Sequence, residues 1–305
     1  MKLHRSLAIL TALLLAASLS AVASVAGTFD RTYTVNGPVD LEVLTHSGDI
    51  IVRNGGGNTV TIHARIHIGY SLFSSDRRAE VEELQRNPPL HQSGNSIRID
   101  YVNTNNISID YDITTPAETK LRGHSGSGNQ TIEGLSGSID LETGSGDVKL
   151  DRLSGEVHTQ SGSGNLRAHE ISGTLRARAG SGDIEVDQRG SGNVDARTGS
   201  GNIHVQGLSA GFRADAGSGD ITAEGLPKSD WEVRTGSGAV TLKIPSNAAF
   251  DVDLSTGSGS LDVAHPVSTT IQGHVQEYHK RVAGKVNGGG PHVLVHTGSG
   301  DVRIQ

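Results

Sequence analysis

The chain reads as an all-β solenoid, a β-helix-like stack of ~18-residue coils, each with two parallel strands and Gly-Ser-Gly corners. Three observations predict this. Ser-Gly pairs recur every nine residues at Ser127, Ser136, Ser145, Ser154, Ser163, Ser172 and Ser181. Between them apolar and polar residues alternate, as in Val148-Lys149-Leu150 and Ile184-Glu185-Val186, the mark of a strand with one buried face. The units also come in two kinds. One follows a full Gly-Ser-Gly, as at Gly144-Ser145-Gly146, and the other follows leucine or isoleucine, as at Leu153-Ser154-Gly155. Two nine-residue units therefore make one coil.

Taken in order, the chain opens with Lys2 and Arg5, an apolar run from Leu7 to Leu19, and small residues around Ala21-Val22-Ala23. That is the order of a secretory signal peptide, assigned here to residues 1–26 with a second cleavage option after Ala26. The run is short of the ~20 apolar residues that a membrane span needs. Residues 27–305 then form one solenoid domain. Its first part, 27–120, is the same architecture more loosely written: Val39, Leu41 and Val43 alternate, and Thr45-His46-Ser47-Gly48-Asp49 repeats the corner. Ile97, Ile99 and Tyr101, and then Ile107, Ile109, Tyr111 and Ile113, are expected to face inward, with Asp100, Asp110 and Asp112 outward. Ser75 to Arg86 is the one short helix, in an insertion, with Ser75 or Asp76 as N-cap and Pro88 beyond its end.

Residues 121–262 carry the regular repeats, continued through Ser191, Ser200, Ser218 and Ser237 with one-residue insertions; Ser209-Ala210-Gly211 fills one slot imperfectly. Roughly eight coils at ~4.8 Å predict a rod about 38 Å long. The core is thin, because the second inward position is often small: Thr159, Ala168, Ala177, Ala196, Ala214. A second insertion spans 265–291. The final repeat, 292–305, ends in Val302-Arg303-Ile304, expected as an end strand with Arg303 discouraging edge pairing.

The corners need residues that reverse the chain quickly. Glycine at 144, 162, 180, 199, 217, 236 and 257 is expected to supply positive φ there. The following residue alternates amide and carboxylate: Asn129, Asp147, Asn165, Asp183, Asn202, Asp220. A column of like charges ~4.8 Å apart would cost on the order of 1 kcal/mol per neighbour. Alternation relieves it, and each asparagine amide is expected to donate to an aspartate oxygen.

Composition narrows the chemistry. With 41 glycines among 305 residues, the order of the chain rests on their periodicity rather than on a large core. No cysteine is present, which removes disulfides and a lipoprotein attachment site. A net charge of −7 with no basic run gives no footprint for nucleic acid. Calcium is not expected: the β-roll unit places its glycines and acid differently, and alternate coils here offer a neutral amide. His63 and His67, like His292 and His296, sit four apart on strands, ~13 Å from each other, which is too far to share zinc. Ser145 and its equivalents repeat identically, whereas a nucleophile should be singular, and no strand–helix elbow frames one. No catalytic, cofactor-binding or metal-ligating residue is assigned, and no small-molecule substrate or enzymatic activity is expected.

The unit T-G-S-G-D-I-x-V, the step at Thr115-Pro116 and the late Gly288-Gly289-Gly290 together resemble the DUF4097 family, the "toastrack" or "putative adhesin" group. The resemblance runs over residues 28 to 305. It implies a β-solenoid on the outer side of the cytoplasmic membrane, with some relatives linked to envelope-stress systems, and it brings no catalytic motif. The expectation is an exported scaffold or protein-interaction module, in the periplasm or at the cell surface, with an envelope or surface protein as partner. The alternative is a cell-surface adhesin that binds glycans. Exposed aromatics, which stack on sugars, are nearly absent from the repeat array, and this favours a protein partner. Specificity is expected where the period breaks, in Arg65–Gln92, with Tyr70, Leu72 and Phe73, and in His265–Pro291, with His274, Tyr278, His279, Lys280 and Arg281. Capping of the solenoid is the other reading of both segments.

Overall fold

The structure is a computed structural model that describes residues 25–69, 77–103, 106–268 and 280–305. The signal-like segment up to Ser24 lies outside the described residues. Two long sheets, of thirteen and fourteen strands, face each other across a thin apolar core. Within the array the strands are parallel and pair with the next coil 18 residues on, as Val148 with Leu166 and Ile139 with Val157. Where a residue is inserted the step is 19, as from Ile184 to Ile203. Burial alternates along the strands: Ile139, Leu141, Val157, Leu175 and Ala177 are buried, while the residues between them are not; Asp187, buried between Val186 and Gln188, departs from it. Trp231 is the largest buried side chain; its ring meets Phe212 edge-on at 5.7 Å, and its indole N–H donates to the Ala210 carbonyl.

Ten two-strand coils stack in the order 39–54, 119–133, 139–151, 157–171, 175–188, 194–208, 212–225, 231–243, 292–304 and 250–263. Nine steps of ~4.8 Å make this stack about 43 Å long. At two places the stack skips along the chain. The coil at 39–54 rests directly on 119–133. The final repeat is not an end strand: Val302–Ile304 lies between Val240–Lys243 and Leu261–Val263, and His292–Ser299 between Trp231–Ser237 and Phe250–Ser258. Arg303 therefore faces a neighbour, Asp262, at 3.6 Å rather than an open edge.

Both ends are finished by antiparallel strands rather than by looser coils. At one end Val25–Thr34, Thr59–Ile68 and Ile107–Thr115 close the thirteen-stranded sheet, while Leu90–Ser93 and Ser96–Ile99 close the other. Helix α1 (Arg78–Arg86) covers the outermost strand. Its Val81 is buried against Gly27, Gln85 donates to the Thr28 carbonyl, and Arg31 donates to the carbonyls of Gln85 and Arg86. The helix begins later than expected, with Arg77 at the N-cap position and no side-chain cap. Ser75 and Asp76 lie outside the described residues. Tyr101 also departs from expectation: the strand stops at Ile99, and the ring lies outside, 37% exposed. At the far end Lys280–Val286 pairs antiparallel with Phe250–Ser258 and carries Val267–Ser268 beyond it.

The corners hold for a different reason from the one the glycines suggest. Positive φ does not occur at Gly144, Gly162 or their equivalents. Close stacking is what excludes a side chain there. A Cβ on Gly162 would lie 2.5 Å from the Gly144 carbonyl oxygen, and one on Gly164 would lie 2.0 Å from that of Gly146. The left-handed residues form a column at the opposite corner instead: Gly134 (φ +71°), Arg152 (+53°), Glu170 (+53°) and Gly207 (+75°).

Candidate functional site

The Asn/Asp column is the most regular polar feature of the molecule, and it is turned inward on the backbone. Asn129 N–H donates to Asp49 Oδ1 at 2.8 Å, Asp147 N–H to Asn129 Oδ1 at 3.0 Å, and Asn165 N–H to Asp147 Oδ1 at 2.8 Å. The series continues through Asp183, Asn202 and Asp220 to the N–H of Ala239. Each side-chain oxygen thus satisfies a main-chain donor of the next coil, and the asparagine amides do not make the links that their alternation with aspartate suggests. The carboxylate bonds are the shorter ones, as charge assistance requires. A parallel set of inward hydroxyls, including Ser161, Thr198 and Thr235, donates to carbonyls of the preceding corner (2.9–3.0 Å for these three). These groups are spent on stacking, so this column offers no open ligand set.

The outer faces carry the remaining chemistry. Across the fourteen-stranded sheet the register sets Arg98, Glu42, Arg122 and Asp140 side by side, and further along Arg176, Asp195, Arg213 and Glu232. Pairs such as Arg98–Glu42 at 2.8 Å and Arg213–Glu232 at 3.0 Å result. Being exposed, each contributes ~0–1 kcal/mol. On this sheet one place breaks the rule, as Lys149 facing Arg167 and Glu133 facing Asp151 do on the thirteen-stranded sheet. Arg178 lies directly opposite Arg197, and like charges at that position are unfavourable. Arg197 is held by Asp195 and Asp215; Arg178 is exposed and has no ion pair among the described residues.

Histidines are used one at a time. His63 pairs with Asp30 at 2.7 Å and His67 with Asp110 at 2.9 Å, while His169 bridges Asp151 and Asp187 on neighbouring coils at 3.1 and 3.3 Å. Among the described residues no three His, Asp or Glu side chains converge as metal ligands. Ser255 Oγ lies 2.9 Å from His296 Nδ1, yet no carboxylate orients that ring among the described residues. The period-breaking segments act as caps where they are described. Lys280 donates to the Gly259 carbonyl at 2.7 Å and Arg281 grips Asp253 with two bonds, so both hold the last strand down. Tyr70, Leu72, Phe73, His274, Tyr278 and His279 lie outside the described residues.

The family model of toastrack DUF4097 matches residues 30–206 and, overlapping, 153–305. The chain belongs to this family. No curated protein matches it. The comparison with solved structures includes three chains that match along most of their length. A "putative adhesin" from Bacteroides fragilis is 15% identical, covering 92% of this chain and 97% of its own, with a TM-score of 0.39. A "putative cell adhesion protein" from Clostridium sporogenes is 12% identical over 91% and 99%, with a TM-score of 0.25. A "putative lipid binding protein" from Parabacteroides distasonis is 14% identical over 91% and 96%, with a TM-score of 0.49. Among the described residues no helix is long and apolar enough to cross a membrane.

Proposed function

We propose that this toastrack protein is a non-enzymatic, exported scaffold that engages a protein partner in the cell envelope through the outer face of its fourteen-stranded sheet. The observation that carries this reading is Arg178. It is an unpaired cation set against a second arginine on a stiff, otherwise charge-balanced surface. A partner carboxylate placed there would relieve the repulsion and confer register, with more effect on specificity and association rate than on affinity. The Asn/Asp column supports the same reading, because its Oδ1 atoms bond from coil to coil, and the described residues hold no catalytic constellation. Export rests on the basic head, apolar run and Ala-Val-Ala of residues 1–23. Cleavage after Ala23 leaves the whole Val25–Thr34 strand in the mature protein, whereas cleavage after Ala26 would remove its first two residues.

The test is photocrosslinking in the native host, with the crosslinker at Arg178 and, on the opposite sheet, at Lys243. A discrete adduct from 178 and not from 243, whose yield falls on Arg178→Glu, supports the proposal. Equal or absent adducts at both positions overturn it. Mass spectrometry of the same preparation should give a mature start at Ser24, and an intact Met1 species in the membrane pellet would overturn export.

A further inference from the structure

The ridge of stacked corners stops at Ser47, and the reason lies in the packing. Beyond residues 45–49 the next strands in the thirteen-stranded sheet are Ile107–Thr115 and the antiparallel Thr59–Ile68, so no further Gly-Ser-Gly corner covers this one. Gly69 N–H bonds to the Asn106 carbonyl at 2.8 Å, closing the ends of those two strands. Between them and the uncovered corner is a hollow of about 490 Å³. Its walls are His46, Ser47, Asn103, Asn106 and Ser108, with buried Ile107 contributing an apolar patch.

We infer that this hollow binds a neutral carbohydrate. Three observations converge on that ligand class. First, none of the five polar side chains makes a hydrogen bond among the described residues. Two hydroxyls, two amides and an imidazole therefore remain free to meet a ligand that is itself both donor and acceptor. An apolar ligand would leave them unpaired on desolvation. Second, among the described residues no Asp, Glu, Lys or Arg lines the hollow, so a charged ligand finds no counter-charge there. Third, the His46 ring is stacked on Tyr101 at 4.5 Å and 24°, and Tyr101 meets His124 edge-on at 6.0 Å. The stacking holds the His46 ring in the wall, a flat face of the kind on which the C–H face of a sugar packs. Asn106 of the wall holds φ +64°, a conformation that costs a non-glycine residue. The volume falls within the ~300–1,000 Å³ usual for small-molecule sites. The site lies far along the stack from Arg178, so it stands or falls independently of the protein-partner reading.

The test uses the full mature chain, 15N-labelled and titrated with cellotriose, maltotriose, chitotriose and mannotriose up to ~10 mM, enough to reveal a millimolar site. At least one should give saturable shifts at the amides of His46, Ser47, Gly69 and Ser108. Asn106→Gly keeps the left-handed backbone while deleting the amide. It should weaken binding at least tenfold with the melting temperature unchanged or raised. His46→Ala should do likewise, and Ser237→Ala, at an equivalent corner in mid-array, should leave binding intact. If His46→Ala fails to fold, Asn106→Gly decides alone. Absence of shifts with all four sugars overturns the inference. So does binding that survives Asn106→Gly, or tighter binding of the uronic-acid form of the same sugar.

Discussion

Placing a methyl group at Gly182 tests the stacking argument directly. An ideal Cβ there lies 2.1 Å from the Gly164 carbonyl oxygen and 2.7 Å from its carbon. Carbon–oxygen contacts settle near ~3.3 Å, so the two coils must part locally by more than 1 Å. The bonds nearest the clash are Leu166 N–H to the Asp183 carbonyl (2.9 Å) and Asp183 N–H to Asn165 Oδ1 (3.0 Å). An added ångström breaks both, and each orphaned group costs ~1–3 kcal/mol. After partial relaxation the expected loss is about 3 kcal/mol for Gly182→Ala, and little more for Gly182→Val, because Cβ itself makes the clash. Two controls separate this from a backbone-conformation effect. Gly57, at φ +73° with nothing within 4 Å of its Cβ, should lose only ~1 kcal/mol on change to Ala. Exposed Ser181→Ala should be within ~0.5 kcal/mol of the parent. Urea unfolding read by circular dichroism supplies the numbers. A Gly182→Ala loss below 1 kcal/mol, or a loss confined to the valine variant, would refute the close-approach account.

Glu170→Gly should stabilise the protein by ~0.5–1 kcal/mol in the same assay, since Glu170 holds φ +53° at a corner where Gly134 and Gly207 sit two coils away on either side; a loss would mean that its side chain is needed. Calcium at millimolar concentration, or a chelator, should leave the melting temperature unchanged, because Oδ1 of Asp147 and of Asp183 already accepts a main-chain N–H; a rise of many degrees would contradict this. Asp301 receives both the N–H and the hydroxyl of Ser260 at 2.8 Å, which holds its carboxyl below the ordinary aspartate range. Its contribution is therefore complete above the unfolded-state value and lost as pH falls through the lowered one. An NMR titration should show the low midpoint, and Ser260→Ala should move it upward; an unmoved midpoint would remove the hydrogen bonds as the cause.

The parts of the fold that were legible in the sequence are those set by local period. Val148-Lys149-Leu150 and its equivalents identify strand, face and coil length because burial alternates with chain position. The slot of the last repeat was not legible. Thr297-Gly298-Ser299-Gly300-Asp301 resembles every other corner, so its own residues fit between coils 231–243 and 250–263 as well as at an end. The glycines were assigned to the right positions for the wrong reason, since stacking clearance depends on a neighbour 18 residues away. Tyr101 continued an alternating pattern by type, but its strand had already ended. The hollow beside Ser47 gave no sequence signal, as it arises where a corner lacks the neighbour that all later corners have.

The interleaved position of residues 292–304 also bears on how the molecule is built. Coil 250–263 follows 231–243 in the chain yet touches it only through a strand pair made some forty residues later. During synthesis or passage across a membrane, N-terminus first, each earlier coil from 139 onward can settle on its predecessor as it emerges. Growth by that route halts at Lys243. The terminal coil must wait, with its apolar edge unmatched, until the closing pair arrives and serves both neighbours at once. Completion is thus a single late event of high sequence separation, the kind that slows folding and exposes intermediates to aggregation or to chaperones.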